Sequence, residues 1–492
     1  MFDDRRTARL SGEDRRIVVA CGLGFVVSAL DGTVVTAAMP AISADLGGDG
    51  FAWLASAYLY SSFVSAPIWG AVCDRLGARH VLAIGLWLLL VSTLLCASAG
   101  VISAATGAGG GVAELIGARL LQGAAGGAIF TSSFAISAEL FPTRQRIRYA
   151  GSFSLVFAFA GLGGALLGGL LADGAGVAFG PAVVAGWRLI FLVQLPVIAA
   201  ALPLLRRVRS TVPSARRRFD AAGSAALAIG VFLLLAVVDP AQSPDRAWLA
   251  APLAAGALLA FGLFFRIEAK AANPLLHPSL WKMPNMIPAC IGAIASSAAL
   301  LCLTVGLPVY LQMGLGLSAT FSGLCIAALS CGIAAGALLT ARLVGRKGIR
   351  AIATRATLAT LAAAASLALQ PQRTETLLLV AFVAGMGLGP LQSVFAVTVQ
   401  AATPAGLAGA GSALIQLTRR LGMVIGAFCA GVTADIGGVG SAGTAQGAAI
   451  FLSRWTAAGA STFLIATLFA SMALGDGAGE ADGADFKRKA QA

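Results

Sequence analysis

The feature that most constrains this chain is a repeated one. Apolar runs of roughly 18–25 residues recur from end to end, each long enough to cross a bilayer as a helix. Fourteen can be drawn, at 17–39, 52–73, 80–100, 112–137, 149–172, 186–205, 220–238, 247–265, 286–312, 321–343, 350–369, 375–400, 411–434 and 450–474. Only 11% of the 492 residues are charged and the mean hydropathy is +0.88. A soluble chain would carry about 25% charged residues. The expectation is an all-α polytopic membrane protein.

Charge placement sets the orientation. With a cytoplasmic N-terminus, the inner connections hold most of the 34 basic residues, among them Arg75, Arg79, Arg144, Arg206, Arg216, Arg266, Arg346 and Lys487. The outer loops then hold only Arg246 and Arg373. This asymmetry places both termini in the cytoplasm. The net charge of +13 is therefore a topology signal and a contact with anionic lipid, not a nucleic-acid footprint. Residues 1–16 are too charged, and the run after them too long, for a cleaved signal peptide.

Several functions are argued against by what the spans carry. The eight cysteines lie in or beside apolar runs without a CxxC pair, and read as small packing residues. His80 and His277 fall at loop edges, so no metal site is expected. No Lys follows a Gly, so there is no Walker-type loop to hold ATP phosphates, and no cofactor is expected. Any transport must draw on an ion or substrate gradient. A membrane-embedded enzyme or sensor would need catalytic His, Cys or paired acids at one depth, or a sizeable soluble domain; neither is visible.

Against this apolar background Asp31 stands out. It lies in Leu30-Asp31-Gly32-Thr33-Val34-Val35, with Pro40 beyond, and is the only carboxylate between Asp14 and Asp45. An ionised Asp in hydrocarbon costs roughly 2.5–3.5 kcal/mol on insertion scales, so it faces a cavity or a partner. A partner is offered by Arg119 in Leu115-Ile116-Gly117-Ala118-Arg119-Leu120-Leu121-Gln122-Gly123. At about 1.5 Å per residue, Asp31 lies roughly 12 Å and Arg119 about 10 Å below the outer surface. At similar depth the two are expected to interact. Arg119 then favours the charged form of Asp31 when close, and releases it for protonation when the helices move apart.

The chain divides into a tail (1–16), six spans (17–205), a basic loop (206–219), two bland spans (220–265), a linker (266–285), six more spans (286–474) and a second tail (475–492). A faint internal repeat supports two halves. Gly70-Ala71-Val72-Cys73-Asp74-Arg75-Leu76-Gly77-Ala78-Arg79 has a counterpart at Ala341–Arg350, where Arg346, Gly348 and Arg350 match Arg75, Gly77 and Arg79. Repeated halves with a site between them are the layout of alternating-access carriers.

These motifs resemble the major facilitator superfamily, specifically its fourteen-span drug:proton antiporter branch (EmrB/QacA-like exporters). The Asp31 stretch is similar to the branch's LDxTIVNVALP signature, with Thr36 where Asn is usual. Gly70–Arg79 is similar to GxLaDrxGr, which implies a cytoplasmic conformational latch built from Gly70, Asp74, Arg75, Gly77 and Arg79. Arg119–Gly123 matches RxxQG. Gly186–Pro196 resembles WRWIFLINLPI. Gly161, Gly164, Gly168 and Gly169 resemble the close-packing antiporter motif ending in GPxxGG, although Ala165 replaces its proline. Gln122, Gln312, Gln392, Gln416 and Arg419 fall at family-like positions and are candidates for the cavity or substrate site. The resemblance implies a proton-coupled exporter of drug-like amphiphiles, monomeric, in the bacterial cytoplasmic membrane, with Asp31 and Arg119 coupling the proton. Span interiors hold more arginine than carboxylate, which favours neutral or weakly acidic substrates over dications. A dedicated carrier of one metabolite fits the same pattern. No periplasmic adaptor can be read from the sequence.

Overall fold

In a computed structural model, the structure describes residues 12–46, 51–101, 110–140, 160–161, 163–174, 177–179, 182–205, 220–238, 248–271, 278–343, 348–368, 374–403, 408–440 and 445–474. Helix occupies part of each of the fourteen apolar stretches. The helices are α1 (Gly12–Leu46), α2 (Phe51–Leu76), α3 (Ala78–Ser98), α4 (Gly111–Leu140) and α5 (Gly163–Asp173). Next come α6 (Gly186–Leu192), α7 (Leu195–Ala201), α8 (Ala221–Val238) and α9 (Ala250–Glu268). The last are α10 (Met286–Val309), α11 (Ala319–Leu343), α12 (Ile349–Ala368), α13 (Thr374–Ala402), α14 (Ala408–Gly440) and α15 (Ala445–Met472). By length and composition six helical stretches among the described residues can cross a membrane, and a seventh if bent α1 counts as one span.

One element departs from the all-helical expectation. Strands β1 (Val177–Phe179) and β2 (Ala182–Val184) pair antiparallel, Val177 opposite Val184. Valines on either side of Gly180-Pro181 in sequence are a hairpin signal, hidden by the apolar character of the whole region.

Two helix sets repeat one packing scheme. In the first, α1, α2 and α3 all pack on α4; in the second, α10, α11 and α12 pack on α13. Glycine makes the tightest of these crossings possible. A Cβ at Gly123 of α4 would overlap the Tyr58 carbonyl of α2, so the two backbones touch directly. Helices α8 and α9 pair with each other, and α8 lies against both α2 and α14. There Trp53 stacks between Phe232 of α8, at 5.5 Å, and Phe428 of α14, at 5.3 Å.

The two sets meet along α2–α14, α1–α10 and α5–α11. On α5, a Cβ at Gly168 would overlap the Val34 carbonyl of α1, and one at Gly169 the Ala319 carbonyl of α11. Ala165 is fully buried with Ala37 and Ile326, and its own carbonyl lies where a Cβ at Gly323 would go. The glycines thus let α5 wedge between the sets, and Ala165 fills a packed position there.

Polar contacts close the same end of the bundle. Asp173, at the C-terminus of α5, accepts bonds from the first amides of α11: Ala319 N at 2.8 Å and Thr320 N at 2.7 Å. Thr320 Oγ1 adds a third at 2.5 Å. An acid on a helix N-terminus satisfies orphan N–H groups and complements the helix dipole. Gln312 reaches from the second set to the Ala37 carbonyl at 2.8 Å. Asp173 is therefore a clasp between the sets. Removing its carboxylate, Asp173→Ala, should raise several-fold the rate at which an aqueous maleimide labels Ala37→Cys, buried when this end is shut, in a background without the native cysteines. An unchanged rate would show the clasp to be dispensable.

Candidate functional site

Asp31 has no exposed surface and every partner it meets is a donor. Arg119 of α4 pairs with it through Nη1. Gln122 Nε2, one turn along α4, lies 3.2 Å from Oδ1, and Gln194 Nε2 lies 3.1 Å from the same oxygen. Three donors from two elements thus converge on one carboxylate. Gln194 lies where Pro196, with no N–H, interrupts the helical hydrogen-bond ladder between α6 and α7, although Val193 and Gln194 keep right-handed helical angles and the two helices run on as one span.

A further layer fixes this group. Arg119 Nη1 also donates to Gln122 Oε1 at 2.8 Å, and the Cys96 thiol donates to that oxygen at 3.3 Å. Gln122 Nε2 meets Thr93 Oγ1 at 3.3 Å. The Arg119 guanidinium stands 4.8 Å above the Tyr58 ring, whose hydroxyl returns to the Ser28 carbonyl of α1 at 3.1 Å. A buried ion pair offsets its desolvation only with good geometry and further hydrogen bonds. Here most of those bonds exist. Arg119 Nε and Gln194 Oε1 are buried without a partner among the described residues, and such leftover groups in a native site call for an explanation.

The other candidates from the sequence scatter. Gln122 belongs to the ion-pair network rather than to an open cavity, with no exposed surface. Gln312 ties the sets together, as described. Gln392 accepts a long bond from Ser297 at 3.4 Å inside the second set. Gln416 is exposed and Arg419 half-buried. In the Gly70–Arg79 motif, Gly77 adopts φ 85°, a conformation that favours glycine, and so ends α2 tightly. Arg79 pairs with Glu13 at 3.3 Å and Asp14 at 3.1 Å, joining α3 to the start of α1. Arg75 is exposed, and the Asp74 side chain lies outside the description, as do Arg346 and Lys347 of the repeated motif.

Sequence reasoning missed Gln194, Tyr58 and Asp173. The signal for Gln194 was available, an amide two residues before a proline within a span. Tyr58 and Asp173 act through helix neighbours that sequence spacing does not reveal. Arg188 donates to carbonyls at the end of α3, Ala97 at 2.9 Å and the capping Ala99 just beyond it at 2.6 Å. It thereby caps the negative end of that helix.

A family model described as Major Facilitator Superfamily matches residues 21–427. The chain belongs to that superfamily. Multidrug resistance protein 3 of Bacillus subtilis is 27% identical over 344 residues, covering 68% of this chain and 62% of the relative. The multidrug transporter protein MdtP of the same species is 29% identical, covering 69% of this chain and 60% of the relative. The chain thus spans about three fifths of the length of these relatives. An uncharacterised MFS-type transporter of Mycobacterium tuberculosis is 30% identical, over 76% of this chain and 52% of the relative.

Solved structures share the fold. A D-xylose-proton symporter superposes with a TM-score of 0.61 at 17% identity, over 95% of this chain and 99% of that one. A bacterial homologue of the human lysosomal transporter Spinster, inward-facing and occupied, gives 0.62 at 16%, over 94% of this chain and 96% of that one. The superfamily fold therefore places the Asp31 network within the first helix set, beside the Val34–Ala37 stretch that meets α5 and α11.

In this superfamily member the network's charge balance is testable. Truncating one partner of a buried pair leaves the other charge uncompensated, at a cost of about 3–5 kcal/mol. Asp31→Ala should therefore lower thermal stability in detergent strongly. The double variant Asp31→Asn/Arg119→Gln, with no charge left to bury, should recover much of the loss. If the double variant is as unstable as the sum of the single ones, the charges are not coupled.

Proposed function

We propose that this protein is a proton-coupled secondary exporter of amphiphilic small molecules, of the fourteen-span drug:proton antiporter branch, working by alternating access. The observation that carries this reading is the fully buried carboxylate of Asp31, held by donors from α4 and from the junction of α6 and α7. Such a group can exchange with solvent only if its neighbours move, which is what coupling a proton to a conformational cycle requires.

With both termini cytoplasmic, the end held by Asp173 and Gln312 faces outward. This arrangement is then the outward-closed one of the cycle. In this state Asp31 is the acceptor of its three donors and Arg119 is neutralised by it. A proton arriving on Asp31 abolishes the ion pair and turns one oxygen into a donor. Arg119 and the Gln194 amide must then find new partners, and helices α1, α4 and α6–α7 shift to supply them. The two buried polar atoms left without partners fit a site built for more than one arrangement. The Gly70–Arg79 motif stabilises the opposite, outward-open state at the cytoplasmic face. Named relatives that are multidrug transporters support the substrate class, and the gradient replaces any bound cofactor.

The test is efflux of drugs and dyes from energised cells lacking their own pumps. Wild-type export should collapse with an uncoupler and fall at least about tenfold in Asp31→Asn, the loss expected when a positioned proton-transfer group is removed. Uncoupler-sensitive export that survives the substitution would move the proton site elsewhere. Absence of export for every compound would favour a narrow metabolite carrier.

A further inference from the structure

A second arginine enters the first helix set from the other side. Arg420 of α14 donates through Nη1 to the Ser62 carbonyl of α2 at 3.1 Å, and lies 3.4 Å from its hydroxyl. Its guanidinium stands 5.0 Å over the Phe130 ring of α4, which in turn packs edge-on against Phe25 at 4.5 Å. Ser62 is one helical turn from Tyr58, the residue beneath Arg119. Two guanidinium groups, one from each set, therefore flank the same stretch of α2 about a turn apart.

Among the described residues only one of them is neutralised. Asp31 is spent on Arg119, Gln122 and Gln194. Helices α2, α4 and α14 carry carboxylates only at Asp74, Glu114, Glu139 and Asp435. The closest of these in sequence to the ring-and-guanidinium stack is Glu139, nine residues beyond Phe130 and so about 13 Å along α4. Arg420 has no ion pair among the described residues, and its Nη2 and Nε no bond there. The adjacent Arg419 is half-buried, with no hydrogen bond or ion pair among the described residues. The boundary between the sets thus presents unspent positive charge and fork-shaped donors beside an aromatic face.

That combination has a chemical complement. A guanidinium binds a carboxylate or a related planar anion through two parallel hydrogen bonds, and keeps its charge at any working pH. The Phe130 ring stacked under Arg420 gives the site an apolar side against which an aromatic body can rest. An organic cation placed here would meet two positive charges and no available carboxylate. We propose that the transported substrates are amphiphilic organic acids, whose anionic group is received by Arg420 with Arg419 adding charge, and that lipophilic cations are disfavoured. This rests on the exporter reading above and narrows it to a substrate class and a specificity residue.

The test uses three probes with one fluorescent body: 1-pyrenebutyrate, its methyl ester, and a pyrenebutyl trimethylammonium salt. Binding is measured on the purified full-length protein, and export in energised vesicles with and without an uncoupler. On the unmodified protein the carboxylate should bind roughly tenfold or more tighter than the ester, the cation weakest, in line with an added charge-assisted bond. Arg420→Gln should bring the carboxylate-to-ester ratio close to one, and Arg420→Lys should keep part of it. Equal or tighter binding of the cation overturns the proposal, as does a preference that survives Arg420→Gln, or binding of none of the three. The wild-type comparison stands even if Arg420→Gln does not fold. Uncoupler-sensitive export of the cation alone would sink this inference and leave the exporter reading intact. Selective carboxylate binding without export of any probe would do the reverse.

Discussion

The structure depends on a carboxylate that should not be where it is. Asp31 is fully buried inside an apolar helix bundle, and the bundle is arranged to make that tolerable. Arg119 supplies the opposite charge, Gln122 and Gln194 supply the remaining donors, and Tyr58, Thr93 and Cys96 hold those partners in place. Each partner comes from a different turn or helix, so the network fastens α1 to α2, α3, α4 and the α6–α7 break at one level. Neutralising one group loosens all of these ties. In the proposed exporter, a proton on Asp31 would reach whole helices through these ties.

Whole-helix movement also needs an interface that opens and closes without large losses. The contact between the sets meets this need with backbone rather than bulky side chains. Gly168 and Gly169 let α5 lie directly on α1 and α11, and the only strongly polar fastening on α5 is Asp173 at the N-terminus of α11. Close backbone contact gives good packing in a lipid setting where helices gain nothing from hydrophobic association. The clasp lies at an exposed helix end, where water can replace its hydrogen bonds when it releases.

Much of this was legible in the sequence, for identifiable reasons. Apolar run length showed the helices, because hydrocarbon thickness sets a hard minimum. Depth counting brought Asp31 and Arg119 together, because rise per residue is fixed. The fate of the glutamines was not legible. Gln122, Gln312, Gln392 and Gln416 all read as polar residues in apolar spans. Yet one joins the ion pair, one clasps the interface, one bonds within the second set and one is exposed, according to the helix face each occupies. Near-uniform apolar helices give sequence periodicity little to report about facing. For the same reason the reach of Gln194 to Asp31 could not be read, nor that of Arg420, visible only as one of several span-interior arginines, to Ser62 of α2. The β1–β2 hairpin was hidden because a valine-rich turn is hard to tell from the flanking spans by hydropathy alone.

In the proposed exporter, substrate binding is coupled to a proton on Asp31. The most direct measurement is proton release by purified protein in weakly buffered detergent solution, on adding a substrate identified by efflux. Wild type should release protons in proportion to substrate bound, and Asp31→Asn should bind the substrate and release none. Equal proton release from the two proteins would contradict the account and assign coupling to another group.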